Sequence, residues 1–192
     1  MGDPLSSAAV FLVRTLFELY ILVFALRFLL QMVRADFYNP LSQFVVKATN
    51  PVLVPLRRIF PGFGGIDFPS IVAMLVLKII ELFILSLLVT GLSAGLGTIL
   101  IVSVIELIKL FVYIYIVAIL IQVVISWVSP GTYNPMTALI HTITEPLMRP
   151  ARRMIPPMSG FDLSPLAALI ALQLVLILFV EPLYQLVPVA IR

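Results

Sequence analysis

Residues 51–61 read PVLVPLRRIFP and residues 146–156 read PLMRPARRMIP. Two prolines, an arginine pair and a further proline recur in the same order in a chain that is 62% hydrophobic and 11% charged. A shift of 95 residues superposes the two stretches, and the match runs outward without a gap. Tyr38, Asn39 and Pro40 fall on Tyr133, Asn134 and Pro135, Thr49 falls on Thr144, and Gly65 and Asp67 fall on Gly160 and Asp162. With Pro51, Pro55, Arg57, Arg58 and Pro61 on Pro146, Pro150, Arg152, Arg153 and Pro156, this makes eleven identities. They are mostly residue types scarce in the chain, so shared apolarity does not produce them, and the pattern predicts an internal duplication.

The composition sets what is duplicated. Mean hydropathy is +1.20, whereas soluble domains run near ~45–50% apolar and ~25% charged. Apolar stretches at about 8–33, 69–90, 98–128 and 165–188 each approach or exceed the ~20 residues a helix needs to cross the hydrocarbon of a bilayer. The expected fold is an all-α membrane protein with four transmembrane helices. The formal charge of +3 then reads first as a topology signal, and nucleic acid is not an expected partner. The chain has no cysteine, which excludes disulfides, thiolate metal sites and cysteine nucleophiles. MGDPLSSAAV carries no basic residue ahead of the first apolar run, and Arg14 and Glu18 interrupt that run, so the first helix is expected to stay rather than be cleaved.

The predicted first repeat, residues 1–95, holds a span at about 8–33, an interfacial segment at 37–61 and a span at about 69–90. The second, residues 96–192, holds spans at about 98–128 and 165–188 around an interfacial segment at 132–156. A unit that crosses twice returns the chain to its starting face, so the repeats are expected to be parallel. Arg34, Lys47, Arg57 and Arg58 lie in one connection and Arg149, Arg152 and Arg153 in the other, while the loop GLSAGLG carries no basic residue. Both connections are therefore expected in the cytoplasm and both termini in the periplasm of a bacterial inner membrane.

Within each connection Asn39–Pro40 and Asn134–Pro135 read as an N-cap followed by proline at the first helical position. Leu41, Phe44, Val45 and Ala48, and Met136, Leu139, Ile140 and Ile143, follow the i, i+3, i+4, i+7 spacing of an amphipathic helix lying at the interface. Pro51 and Pro146 are predicted to end those helices. Pro55 and Pro150 would start a second short turn bearing the arginines, closed by Pro61 and Pro156. Asp67 and Asp162 would meet the N-terminus of the following span. One reading of Arg57, Arg58, Arg152 and Arg153 is an anchor in anionic lipid headgroups, each contributing about 1 kcal/mol. The other is a paired binding surface, one arginine pair from each repeat, presented to lipid, to an acidic partner or to the neighbouring Asp67 and Asp162, since all four positions are arginine and its planar fork suits phosphate and carboxylate.

Opposite charges three or four residues apart recur inside the spans: Arg14 and Glu18, Lys78 and Glu81, Glu106 and Lys109. Arg14, Glu18, Glu106 and Lys109 are expected near an interface. Lys78 and Glu81 are expected near the midplane, where a single charge costs roughly 2.5–3.5 kcal/mol. With Gln122 and Gln173, which align with Arg27 and Lys78, they form a candidate intramembrane polar site, either structural or part of an ion path. The single histidine, His141, is expected to be solvated, and the residues predict no catalytic group, cofactor or metal.

The stretch RADFYNPLSQFVVKATNPVLVPLRRIFPGFGGID and its weaker copy TYNPMTALIHTITEPLMRPARRMIPPMSGFDLSP resemble the YggT family over nearly the whole chain. The resemblance implies a multi-pass bacterial inner-membrane protein without an established catalytic residue. It implies roles in assembling or organising membrane complexes, including cytochrome b6 maturation and nucleoid or division phenotypes in plastid relatives, and tolerance of hyperosmotic stress in bacteria. The sequence itself shows no haem ligand pair. The expected function is a non-enzymatic scaffold or assembly factor with basic cytoplasmic platforms, having membrane lipids and a membrane protein as partners and a homo-oligomer as a further possibility. The alternative is a transport or osmotic-homeostasis protein using the midplane site.

Overall fold

The computed structural model describes residues 4–62, 65–90, 95–128, 134–155, 162–185 and 187. Among them the chain is helical: α1 (Pro4–Met32), α2 (Pro40–Ile59), α3 (Phe68–Thr90), α4 (Leu96–Val128), α5 (Pro135–Met154) and α6 (Ser164–Val175), which runs through a π-helical turn (Leu176–Val180) into α7 (Glu181–Gln185). Four helical stretches, Pro4–Met32, Phe68–Val89, Leu96–Val128 and Ser164–Gln185, are long and apolar enough to cross a membrane. Within an 18-residue apolar window of each span, only 17–39% is buried within the protein. Leu16, Leu100, Val117, Ile170 and Phe179 point outward with many other large apolar side chains, a surface suited to lipid rather than water. Helix α4, 33 residues long, spans ~50 Å at ~1.5 Å per residue and exceeds a ~30 Å hydrocarbon core.

α1 closes on Arg34, whose φ is 53°. The Ala35 N–H donates to the Leu30 carbonyl at 2.9 Å and the Arg34 N–H to that of Gln31 at 3.1 Å, the two bonds of a Schellman cap. Leu30 and Ala35 are both buried in one apolar cluster with Val45 of α2 and Leu139 and Ile143 of α5. That cluster holds α2 and α5 at the same end of the bundle. Asn39 caps α2 by accepting from the Leu41 N–H at 2.9 Å. Asn134 caps α5 reciprocally with Thr137, at 2.9 and 3.0 Å. Both caps follow from the Asn-Pro dipeptides.

The prolines act differently from the sequence expectation. Pro51 and Pro55 lie inside α2, and Pro146 and Pro150 inside α5, so each connection holds one continuous 20-residue helix rather than two short pieces. All four prolines are exposed. Each therefore removes one amide donor from a helix side that faces outward rather than into the core. Helix α2 does end just ahead of Pro61, with the Phe60 N–H donating to the Leu56 carbonyl at 2.8 Å. Helix α5 ends at Met154, and Pro156 lies outside the described residues. In the last span the Glu181 N–H donates to the Leu176 carbonyl, five residues back. The next residue, Pro182, has no N–H and its ring crowds the preceding turn, which the wider π turn accommodates.

Candidate functional site

Lys78 and Glu81 lie one turn apart on α3, and both are buried. Their side chains meet at 3.0 Å, and the Lys78 ammonium also lies 4.0 Å from the Glu18 carboxylate of α1. Removing two charges from water costs several kcal/mol per ion, and only close pairing offsets it. A cavity of about 440 Å³ opens beside them between α1, α3 and α4, lined by Thr15, Glu18, Lys78, Glu106, Lys109 and Tyr113. Glu106 accepts a hydrogen bond from the Tyr184 hydroxyl of α7, and the Lys109 ammonium sits 5.4 Å from the Tyr184 ring centroid. The charges of three helices thus converge on one site, and Tyr184 ties the last span to it.

The structure brings Lys78 and Glu81 together but places Gln122 and Gln173 away from them. Gln122 accepts from the Thr144 hydroxyl at 2.6 Å and lies 3.2 Å from Nδ1 of His141, at the contact of α4 with α5. Gln173 is exposed on α6. Sequence reasoning missed the grouping of Glu18, Glu106 and Lys109 with Lys78. Helix α1 starts at Pro4, earlier than the apolar pattern suggests, which sets Glu18 about 21 Å along the helix rather than near its end. A signal was available: each of the three helices carries its charges at a comparable distance from the end remote from the arginines.

At the other end of the bundle, the first arginine of each pair is tied to an aspartate ten residues on. Arg57 lies 3.5 Å from Asp67, and Arg152 lies 3.8 Å from Asp162 and 3.0 Å from Glu145. Asp67 also accepts from the Ser70 hydroxyl at 2.6 Å. Asp162 accepts from the Ser164 N–H at 2.9 Å and from its hydroxyl. Each aspartate therefore joins a short helix to the start of the following span. Arg58 and Arg153 are exposed and have no ion-pair partner among the described residues. Beside them Ile59, Phe60 and Met154 are exposed as well. Among the described residues no group of three His, Asp or Glu side chains is placed to hold a metal ion.

Comparison with known proteins adds identity to this geometry. The CCB3/YggT family profile matches residues 6–88 and again residues 101–183. The chain is 48% identical over 172 residues to an uncharacterized protein of Pseudomonas aeruginosa, covering 89% of this chain and 87% of the relative. It is 39% identical over 165 residues to the uncharacterized protein YggT of Escherichia coli, covering 86% and 85%. A shorter match, 34% over 70 residues, joins 36% of this chain to 74% of the uncharacterized ycf19 protein of Porphyra purpurea. No solved structure matches the chain significantly. With one profile matching most of the chain and full-length relatives at this identity, the chain belongs to the CCB3/YggT family.

Proposed function

We propose that this family member is a non-enzymatic membrane scaffold, an organiser of membrane complexes, that presents two basic platforms at the cytoplasmic face of a bacterial inner membrane. The observation that carries the reading is the division of labour within each arginine pair. Arg57 and Arg152 each pair with an aspartate, Asp67 and Asp162, while Arg58 and Arg153 are left exposed beside large apolar side chains with no ion-pair partner among the described residues. An arginine flanked by apolar groups suits an interface at which phosphate or carboxylate lies above hydrocarbon. The shared location of α2 and α5 supports two parallel repeats, 1–95 and 96–192, and the basic residues beside them support the cytoplasmic orientation. The expected partners are anionic headgroups and a membrane protein.

The charged cavity beside Lys78 supports a second reading, transport or osmotic homeostasis, because ionisable groups converging inside a membrane commonly mark an ion path. One experiment separates the two. In cells lacking the protein, the scaffold reading expects R58A/R153A to fail to restore growth at high osmolarity while K78L/E81L restores it. The reverse pattern assigns the function to the cavity.

A further inference from the structure

The two short helices occupy equivalent places but differ in chemistry beneath them. Arg27 lies on α1 five residues before its end at Met32, about 8 Å from the helix terminus. It is only 6% exposed. Its guanidinium lies 5.8 Å from the Phe37 ring centroid. Nε and Nη1 are buried and meet no hydrogen-bond acceptor among the described residues. Buried donors without acceptors are costly, and on a charged group more so. Arg27 faces a cavity of about 560 Å³ that is also lined by Gln31, Gln43, Lys47, Arg57 and Asp67. Asp67, the one carboxylate of that lining, is already held by Ser70 and Arg57. Three cations and two amide side chains therefore surround a space whose single anion is taken.

Ninety-five residues on, the same positions are occupied differently. Gln122 stands for Arg27, Ala138 for Gln43 and Thr142 for Lys47, and the Gln122 amide is satisfied by Thr144 and His141. Gln122 is thus closed by internal contacts, whereas Arg27 stands in the wall of a cavity with two of its nitrogens unpaired.

We propose that the cavity between α1, α2 and the residues Gly62 and Asp67 binds a phosphate-bearing anion. The guanidinium of Arg27 donates from below, Arg57 donates from α2, and the Lys47 ammonium adds a third cation at the rim. Forked guanidinium donors match the several acceptor oxygens of phosphate, and the depth near a helix end is that of a lipid headgroup. Headgroup phosphate and free phosphate share this chemistry. The inference stands independently of the scaffold reading, since it concerns occupancy of one cavity and not what the protein organises.

The test uses the full chain purified in detergent without phosphate, with thermal unfolding followed during titration by phosphatidylglycerol in mixed micelles, by diacylglycerol, and separately by inorganic phosphate. Wild type is expected to shift upward with phosphatidylglycerol, with phosphate or with both, and not with diacylglycerol. A shift with phosphatidylglycerol alone assigns a headgroup, and a shift with phosphate assigns the free ion. Arg27→Gln, which installs the residue found at position 122, lowers apparent affinity at least tenfold. Lys47→Gln lowers it at least threefold, and Arg153→Gln on the other platform leaves it unchanged. The exposed Lys47→Gln variant carries the test if Arg27→Gln fails to fold. No wild-type shift with either phosphate compound, an equal shift with diacylglycerol, or a response kept by both cavity variants overturns the proposal.

Discussion

The Asn39 side-chain amide donates to the backbone carbonyl of Pro135 at 2.6 Å, joining the first turn of α2 to the first turn of α5. The same side chain caps α2 through its oxygen. Asn39 thus does locally what Asn134 does for α5 and, in addition, fixes one short helix against the other. Substituting a side-chain cap costs ~1 kcal/mol, and an intramolecular hydrogen bond contributes a similar amount. Asn39→Asp keeps the capping oxygen but turns a carboxylate toward a carbonyl. It is expected to destabilise the protein by ~1–2 kcal/mol in detergent unfolding, while Asn134→Asp stays near neutral. Equal effects of the two would deny that the bond between α2 and α5 matters.

Lys78 and Glu81 should show the asymmetry of buried ion pairs. Lys78→Leu leaves the Glu81 carboxylate, 1% exposed, without its 3.0 Å partner, and a loss of ~3–5 kcal/mol is expected. The double variant Lys78→Leu/Glu81→Leu removes both charges and should recover most of that loss. A double-mutant cycle on unfolding free energies measures the coupling, and additive single losses would show that the pair is not a unit.

Arg34 occupies a left-handed conformation at φ 53°, which costs a side-chain-bearing residue ~1 kcal/mol or more relative to glycine. Arg34 is exposed, so its replacement disturbs no packing. Arg34→Gly is expected to raise stability by ~0.5–1 kcal/mol, read as a higher midpoint of thermal unfolding. A fall in the midpoint would mean that the Arg34 side chain contributes more than its backbone costs.

Tyr184 couples the last span to the charged cavity through its hydrogen bond to Glu106. Hydrogen bonds to charged groups contribute ~1.5–3 kcal/mol. Tyr184→Phe keeps the ring under Lys109 but removes the donor, and a loss within that range is expected. Labelling of a cysteine at the exposed Leu183 should also quicken in that variant if the α7 end loosens, and unchanged labelling would place the effect at Glu106 alone.

How much of this was legible in the sequence depends on whether a feature is local. The four spans follow from length and apolarity, and the caps at Asn39 and Asn134 follow from the residue before proline. The pairing of Lys78 with Glu81 follows from their three-residue spacing on one helix. The continuity of α2 through Pro51 and Pro55 did not follow, because proline's local penalty is overridden when both rings lie on the exposed side and the buried side, Val45, Thr49 and Leu53, keeps one helical stripe. Nor did the gathering of Glu18, Glu106 and Lys109, which depends on how α1 and α4 turn toward α3. Arg27 shows the same limit: its alignment with Gln122 is visible in the sequence, while its lack of an acceptor appears only once α2 is laid across the end of α1.

The scaffold proposed for this chain requires α2 and α5 to lie at one membrane face, and the absence of cysteine makes the decisive measurement clean. Single cysteines at Arg58, Arg153 and Leu96, all exposed, would be probed in intact spheroplasts with a membrane-impermeant maleimide, before and after permeabilisation. The Leu96→Cys variant should label in intact spheroplasts, and the Arg58→Cys and Arg153→Cys variants only after permeabilisation. Labelling of positions 58 and 153 from opposite faces would contradict the account.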